Sequence, residues 1–527
     1  MKNIQVLDCS LRDGGYLNDW NFGKHTIIDT FNRLNNSGVE FIEVGFLDDR
    51  REFDSDRTIQ PTTECYDKIF ENIENKKSCV VAMIDYGTCS IDNIGECASS
   101  FIDGIRIIFK KPNMRKAVEF ARCVKEKGYL VFLQLVSITS YSDRDLLDFI
   151  DCANEIQPYG VSIVDTYGLM HREKMLHYFY LLDTNLVNGA IIGFHSHNNF
   201  QLAYSNTIEL LKLNTSHNLL ADGTVFGMGK NAGNAPLELL CMYLNENEGK
   251  NYNVNHILEI IDLTALRILK EHPWGYSLPL FVASSNDCHP NYVTALMDKG
   301  TLSIGSINEI LKGLSGDEKL NYNAELIQEL YRNYQKTKLC DKNKDELYSA
   351  LNNKNILLIG PGFSLLKEKE KIDDFIAKKI AIVISVNCVP EFPLDYFFVG
   401  NSKRYSLLSS LCSVKKQLKI IASSNVSSLD GEFDYLLNFD RLADDNKLLF
   451  DNALVMMLKV LKEAKISRLF LAGFDGFSKT MANYYNDFMS FDGEPERLEQ
   501  VTDLIRERIS EFRKIYPIEF VTSSYYE

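Results

Sequence analysis

No two of the twelve cysteines in this 527-residue chain stand two residues apart. That absence speaks against a zinc knuckle, a redox dithiol or a disulfide framework, and leaves reduced, mostly buried thiols as the reading. No apolar run approaches the roughly 18 residues a bilayer span needs, and MKNIQVLDCSLRDGG at the N-terminus lacks the apolar core of a secretory signal. The expectation is a cytoplasmic protein without a membrane span. Lys and Arg nowhere run together with interleaved aromatics, and the formal net charge is −15. Such a chain repels polyanions, so nucleic acid is not an expected partner. With 12 prolines and 30 glycines, neither a fibrous nor a disordered class fits.

What is present is a repeated alternation. The chain is too long for one core, so two or three domains are expected. Eight short apolar runs occupy the first 230 residues: Ile4–Asp8, Glu40–Phe46, Cys79–Ile84, Gly104–Phe109, Tyr129–Val136, Gly160–Asp165, Ala190–Phe194 and Leu219–Phe226. Most are continuously apolar, as parallel strands covered on both faces are. Amphipathic helical patterns separate them, among them His25–Asn36, Met114–Lys127, Asp143–Asn154 and Phe200–Leu213. Eight β-then-α units predict a (β/α)8 TIM barrel over residues 1–250. An open doubly wound sheet shows similar alternation. The polar clusters favour the barrel because they fall just after predicted strands, where barrels carry their chemistry.

Residues 251–346 read as a helical extension over the barrel mouth, with helices at Val254–Glu271, Pro290–Asp298, Ser306–Gly313 and Ala324–Gln335 and an aromatic-rich piece, WGYSLPLFVASSNDCHPNY. Residues 347–527 read as a separate α/β, Rossmann-like domain. Its strands are expected at Asn355–Ile359, Ile380–Val386, Tyr396–Val399, Leu418–Ala422, Tyr435–Phe439, Arg468–Ala472 and Ile518–Val521.

At the end of the first strand stands DCSLRDGGY, with Arg12 and Asp13; an acid beside an arginine can also be a structural pair. After the seventh comes GFHSHNNF, in which His195 and His197 alternate by two and so project to one side of an extended segment. Two imidazoles and a carboxylate suit manganese, magnesium, zinc or cobalt with positions left for substrate. After the eighth strand, DGTVFGMGKNAGNAPLE has glycines that permit close backbone approach, and Asn234 to offer a further oxygen ligand.

These four stretches, LRDGG, DTYG (Asp165, Thr166), HSHN and GMGKNAGNAPLE, together resemble the barrel metalloenzymes that include 4-hydroxy-2-oxovalerate aldolase, hydroxymethylglutaryl-CoA lyase, homocitrate synthase and isopropylmalate synthase. The resemblance covers residues 1 to about 310 and is nearest the oxovalerate aldolase branch. It implies Asp13, His195 and His197 as metal ligands with Asn234 as a weaker fourth, Arg12 over the keto oxygen of the substrate, and Thr166 on its carboxylate. Carbon–carbon cleavage or formation beside a 2-oxo acid passes through an enolate; a divalent cation and a guanidinium stabilise its charge, so no lysine Schiff base is required.

One position departs from that pattern. Where the aldolases carry a histidine base, three residues after the metal aspartate, this chain has Tyr16. With an ordinary pKa near ~10, tyrosine is a poor base at neutral pH unless neighbouring charge depresses it. Either Tyr16 orients a water, or His289 or Tyr276 of the helical extension handles the proton; a packing role for Tyr16 also stays open. Glu43 and Asp165 end strands and are candidates to brace Arg12 or the ligands, or simply to fill the barrel rim.

In the C-terminal domain, IGPGFSL is a strand, a glycine turn and a helix start, a geometry that points N–H groups at an anion. With SVNC, VGNSKRY and RLFLAGFDGF the domain distantly resembles bacterial sialyltransferases. That resemblance implies a nucleotide or nucleotide-sugar held by Gly360, Gly362, Ser364, Asn387 and Asn401. No histidine follows His289, so a recognition module fits better than a second enzyme of that type.

The function expected is a divalent-metal aldolase acting on pyruvate and an aldehyde, with manganese the first choice of cation and a setting in surface-polysaccharide or nucleotide-sugar synthesis. The alternatives are an acyl-CoA Claisen synthase or lyase, which Gly15-Tyr16 disfavours because the synthases carry Glu-Gln there, and a catalytically silent nucleotide-binding protein. A homo-oligomer is compatible with all three.

Overall fold

A computed structural model describes residues 2–319, 322–336, 341–414, 418–426, 433–477, 483–486 and 495–527. Two compact units divide the chain, Met1–Asp287 and Cys288–Glu527.

The first unit is the barrel. Its strands are β1 (Ile4–Asp8), β2 (Phe41–Leu47), a two-residue β3 (Ile59–Gln60), β4 (Cys79–Asp85), β5 (Gly104–Phe109), β6 (Leu130–Leu135), β7 (Gly160–Asp165), β8 (Ile191–Ser196) and β9 (Leu219–Gly223). The order β1-β9-β8-β7-β6-β5-β4-β2, with β1 paired back to β2, closes eight parallel strands on themselves, and β3 is attached outside the ring to β2. Closure leaves no unpaired edge. All eight expected strands are present. The eighth ends at Gly223, three residues before the expected Phe226, which takes φ 56° in the turn that follows.

Both faces of each strand are buried, but they bury different things. Val6, Ile42, Val44, Ile105, Ile107, Ile192 and Phe194 face outward into the main core against the helices. Alternate residues face the barrel axis. Near the amino ends these are apolar: Leu7, Phe41, Val81, Phe132, Ile191 and Leu220 form one packed layer. Above that layer the inward positions turn polar, with Glu43, Arg106, Gln134, Ser162 and Asp222 all buried. The helices seal the outside. Asp143–Ile156 is opened by a capping box between Ser142 and Asp145 and buries Leu146, Phe149, Ile150 and Ala153.

The stretch read as one helical extension is divided between the units. Val254–Ile260, a π turn at Ile261–Ala265, Leu266–Glu271 and Leu278–Ser285 go with the barrel. Trp274 Nε1 donates to Phe226 O at 3.3 Å and Asn199 Nδ2 to Ser284 Oγ at 2.8 Å, so the aromatic piece packs on loops that follow the strands at their carboxyl ends. The later helices, from Pro290–Met297 onward, belong to the second unit.

The second unit contains a parallel sheet of β10 (Asn355–Ile359), β11 (Ile382–Val386), β12 (Tyr396–Val399), β13 (Lys419–Ser423), β14 (Tyr435–Leu437), β15 (Arg468–Ala472) and β16 (Ile518–Phe520), in the order β14-β13-β12-β11-β10-β15-β16. All seven expected strands are found. The order reverses between β10 and β15, the topological switch point of an open α/β sheet. Among the described residues, no helix is long and apolar enough to cross a membrane, and ten cysteines are free thiols.

Candidate metal centre

Asp13 leaves the first turn after β1, while His195 lies on β8 and His197 just beyond it; period-two alternation turns both imidazoles toward the barrel axis. The result is a buried cluster in which one ligand atom from each of Asp13, His195 and His197 lies within 4.8 Å of the others. His195 Nε2 is 3.6 Å from Asp13 Oδ2, and the imidazoles cross at 86° with centroids 5.1 Å apart. Donors bonded to one ion at about 2.0–2.2 Å stand roughly 3 Å or slightly more apart, so these three can share a cation with little movement.

Asn234 stands beside this cluster. An isolated bridge between His197 and Asn234, together with Asn198 N donating to Gly233 O at 2.9 Å, ties the loop after β9 to the one after β8. Asn234 Nδ2 donates to Asp13 Oδ1 at 3.1 Å and to Met228 O at 3.2 Å. Its Oδ1 is buried with no hydrogen-bond partner, as is Nδ1 of His197. Orphaned acceptors beside a carboxylate and two imidazoles are what a hard or borderline divalent cation would satisfy. Gly229 makes the loop fit: a Cβ there would stand 2.2 Å from Asn234 Nδ2 and 2.4 Å from Asp13 Oδ1.

Around the ligands runs a closed ring of buried charge. Arg12 Nη1 donates to Asp13 Oδ2, and Arg12 Nε donates to Glu43 Oε2 at 2.7 Å. Glu43 Oε2 lies 3.1 Å from Arg106 Nη1, Arg106 Nη2 donates to Asp222 Oδ2, and Asp222 Oδ2 lies 3.1 Å from His195 Nδ1. Burial by itself would raise Asp13, but the Arg12 guanidinium and the two imidazoles outweigh it and hold the carboxyl well below its usual range. Asp222 is likewise held low against burial, by Arg106 and His195. Burial drives His197 down to about 4, so it is neutral and able to bind metal.

Glu43 was expected to brace Arg12 and does. Asp165 holds the cluster only through its backbone: its carbonyl accepts His197 N–H at 3.3 Å, while its carboxylate accepts Leu169 N–H at 3.0 Å and Met170 N–H at 3.1 Å and fixes the loop after β7. Neither Arg106 nor Asp222 stands out in the sequence as part of the site. The available signal was a lone arginine inside the otherwise apolar Gly104–Phe109 run, a position where a charge survives only if paired.

Other expected residues fare differently. Thr166 follows β7, and its Oγ1 accepts Ser137 N–H at 2.7 Å, which leaves its own proton available to a carboxylate. Tyr276 is 60% exposed beside Phe281. His289 lies in the second unit and caps the helix Pro290–Met297, where its Nδ1 accepts Asn291 N–H. Tyr16 packs edge-on against Trp20 and Phe46 at the rim and is 39% accessible. Desolvation in this aromatic surround pushes its hydroxyl above the ordinary value, Asp13, Asp85 and Glu43 add to the rise, and Arg12 only partly opposes it. The depression that a tyrosine base would need is absent among these neighbours.

The glycine turn of the second unit is also corrected. Gly360 N–H donates to Ala472 O and Gly362 N–H to Gly473 O, while the Asp475 carboxylate accepts both Ser364 N–H at 2.7 Å and Ser364 Oγ–H at 2.5 Å. The anion at this turn is the protein's own carboxylate, so Gly360, Gly362 and Ser364 do not form an open phosphate cradle. Asn401 accepts Arg404 N–H at 2.9 Å at the start of the helix Ser402–Val414. Gly362 and Asn387 do line a cavity of about 160 Å³ at the carboxyl end of the sheet, with Arg404, Phe474 and Tyr484.

Sequence comparison matches residues 3–269 to the HMGL-like family. The oxaloacetate decarboxylase of Mycobacterium tuberculosis is 25% identical over 235 residues, 45% of this chain and 68% of that protein. The 2-isopropylmalate synthase of Sulfolobus acidocaldarius is 26% identical over 49% of this chain and 66% of its own length. The 4-hydroxy-2-oxovalerate aldolase of Thermus thermophilus is 28% identical over 46% and 68%. The matches thus span about two thirds of each of these relatives. Among solved structures, the HMG-CoA lyase of Bacillus subtilis is 16% identical, with 53% of this chain and 97% of that chain covered at a TM-score of 0.40. The family match ends at residue 269, and the sialyltransferase resemblance of the second unit rests on its short motifs alone.

Proposed function

Because this chain belongs to the HMGL-like family, we propose that its barrel is a divalent-metal-dependent aldolase that forms or cleaves the bond between pyruvate and an aldehyde. The observation that carries this reading is the convergence of Asp13, His195 and His197 on one buried point, with the unpartnered Asn234 Oδ1 beside them. When bound there, a divalent cation supplies Lewis acidity toward a 2-oxo acid. One carboxylate, two imidazoles and an amide oxygen suit manganese, and also magnesium, cobalt or zinc.

The chain's own groups account for the rest. Arg12, held rigid by Asp13 and Glu43, sets a fixed guanidinium beside the ligand cluster, where charge develops on the keto oxygen. Thr166 offers a hydroxyl proton to the pyruvate carboxylate. In the condensing direction a methyl proton passes from pyruvate to solvent water, C3 bonds to the aldehyde carbon, and the aldehyde oxygen takes up a proton that solvent restores to its donor. Tyr16, which keeps its proton, is the donor at the rim for that oxygen.

The test is metal analysis of the purified protein followed by NMR of pyruvate in D2O. Metal-dependent loss of the methyl proton signal, abolished by H195A, supports the reading. Protein that binds no divalent metal, or that gives no exchange when loaded, overturns it. The synthases among the relatives support a second reading, Claisen condensation; turnover that requires acetyl-CoA together with a 2-oxo acid would select it.

A further inference from the structure

We propose that the aldehyde partner carries an anionic group, a carboxylate or a phosphate, and that Lys230 receives it at the rim of the barrel beside Tyr16. The inference rests on the aldolase reading and narrows its substrate.

Lys230 is placed by the metal site itself. Its backbone N–H donates to Asp13 Oδ1 at 2.8 Å, and the loop that carries it continues to Asn234. From that anchor the side chain reaches outward, and its ammonium lies 5.1 Å from the centre of the Tyr16 ring. A substrate whose reacting carbon is held at Asp13, His195 and His197 extends toward solvent through the mouth that Tyr16 and Lys230 border.

The charge around Lys230 is not balanced. Burial acts most strongly on its ammonium and lowers its pKa, followed by the charges of Asp13, Arg12, Lys110 and Asp85. Asp13 is already committed to Arg12, and Asp85 stands against two lysines. Arg50, which also acts on Asp85, is bound to Asp48 through Nε at 2.7 Å and Nη2 at 2.5 Å. Among the described residues no carboxylate lies within ion-pair distance of Lys230 Nζ, which stands over the Tyr16 ring. In a chain of net charge −15, a partly buried lysine left to an aromatic face beside a metal centre is a place for a ligand anion. A cation–π contact with an exposed tyrosine is worth only about 0.5–1 kcal/mol, so exchanging it for a charged hydrogen bond is favourable.

The experiment compares matched aldehydes with pyruvate on the metal-loaded full chain: succinic semialdehyde against butanal, and glyceraldehyde 3-phosphate against glyceraldehyde. In the wild type, kcat/KM for at least one anionic member exceeds its neutral counterpart by about 10- to 100-fold, the worth of a charged hydrogen bond. The pair that shows the larger ratio distinguishes carboxylate from phosphate. The ratio falls at least tenfold in Lys230→Met, chiefly through KM, and returns in large part in Lys230→Arg. Equal use of charged and neutral aldehydes by the wild type, or an unchanged ratio in Lys230→Met, overturns the inference while pyruvate exchange leaves the aldolase reading standing. Absence of pyruvate exchange in the wild type instead removes that reading, and this inference with it.

Discussion

Asp222 Oδ2 lies 3.1 Å from Nδ1 of His195, on the side of the imidazole away from Asp13. A carboxylate behind a ligating histidine fixes the ring and its tautomer and makes the metal-facing nitrogen a better donor. Asp222→Asn therefore lowers divalent-metal affinity by about 10- to 100-fold while circular dichroism stays that of the wild type. Isothermal titration of the metal-stripped protein measures it, and unchanged affinity refutes the positioning role.

Arg106 joins Glu43 to Asp222 with no solvent access to any of the three side chains. Arg106→Met leaves two carboxylates buried without their cation, which costs about 3–5 kcal/mol. Urea unfolding should show the loss for this variant, and Arg106→Lys should recover only part of it because an ammonium cannot span both carboxylates as a guanidinium fork does.

A methyl at Gly229 would meet Asn234 Nδ2 and Asp13 Oδ1 at 2.2 and 2.4 Å. Gly229→Ala is expected to displace one of these groups and weaken metal binding about tenfold or more, since small errors in ligand placement are costly. Its circular dichroism should stay near that of the wild type, because Gly229 is not among the glycines with positive φ.

Burial raises Asp8 to about 7, against a lowering contribution from its hydrogen bonds with Ser10. The folded state thus holds this proton more tightly than the unfolded chain, whose carboxyl titrates near ~4. The stabilisation is complete below pH ~4 and is lost as pH rises through about 7. In urea titrations, the stability of Asp8→Asn relative to the wild type should therefore climb between those values, by at most about 1.4 kcal/mol per pH unit, and level off above them. A difference that does not change with pH would contradict the assignment.

In the second unit, Gly362→Ala would set a Cβ 2.5 Å from the Asp475 carboxylate and from Gly473 O. Overpacking of this kind costs about 1–3 kcal/mol. The expected outcome is faster limited proteolysis of the second unit with metal binding by the barrel intact.

The barrel strands and the two histidines of the candidate metal centre were legible in the sequence because each depends on local spacing. A continuous apolar run reports a strand covered on both faces, and HxH at its carboxyl end reports two imidazoles on one side. Asn234 was legible as an oxygen donor in the glycine-rich stretch after the eighth strand. The braces of the site were not legible. Arg106 and Asp222 are 116 residues apart, and no local pattern states that β5 and β9 will aim side chains at one another across the axis. The phosphate-cradle expectation for the second unit failed for the same reason: the residue that fills the turn, Asp475, lies 111 positions from Ser364.

By itself, then, the sequence determined the number of parallel strands, the strand ends at which polar groups gather, and the common side to which His195 and His197 project, since these follow from residue periodicity along one segment. Tertiary structure alone decided that a ring of ion pairs closes behind Asp13, His195 and His197, that burial raises the Tyr16 hydroxyl, and that Lys230 stands over its ring at the mouth. Desolvation and charge pairing depend on which distant segments become neighbours, and that is settled only when β1 pairs with β2 and the barrel closes.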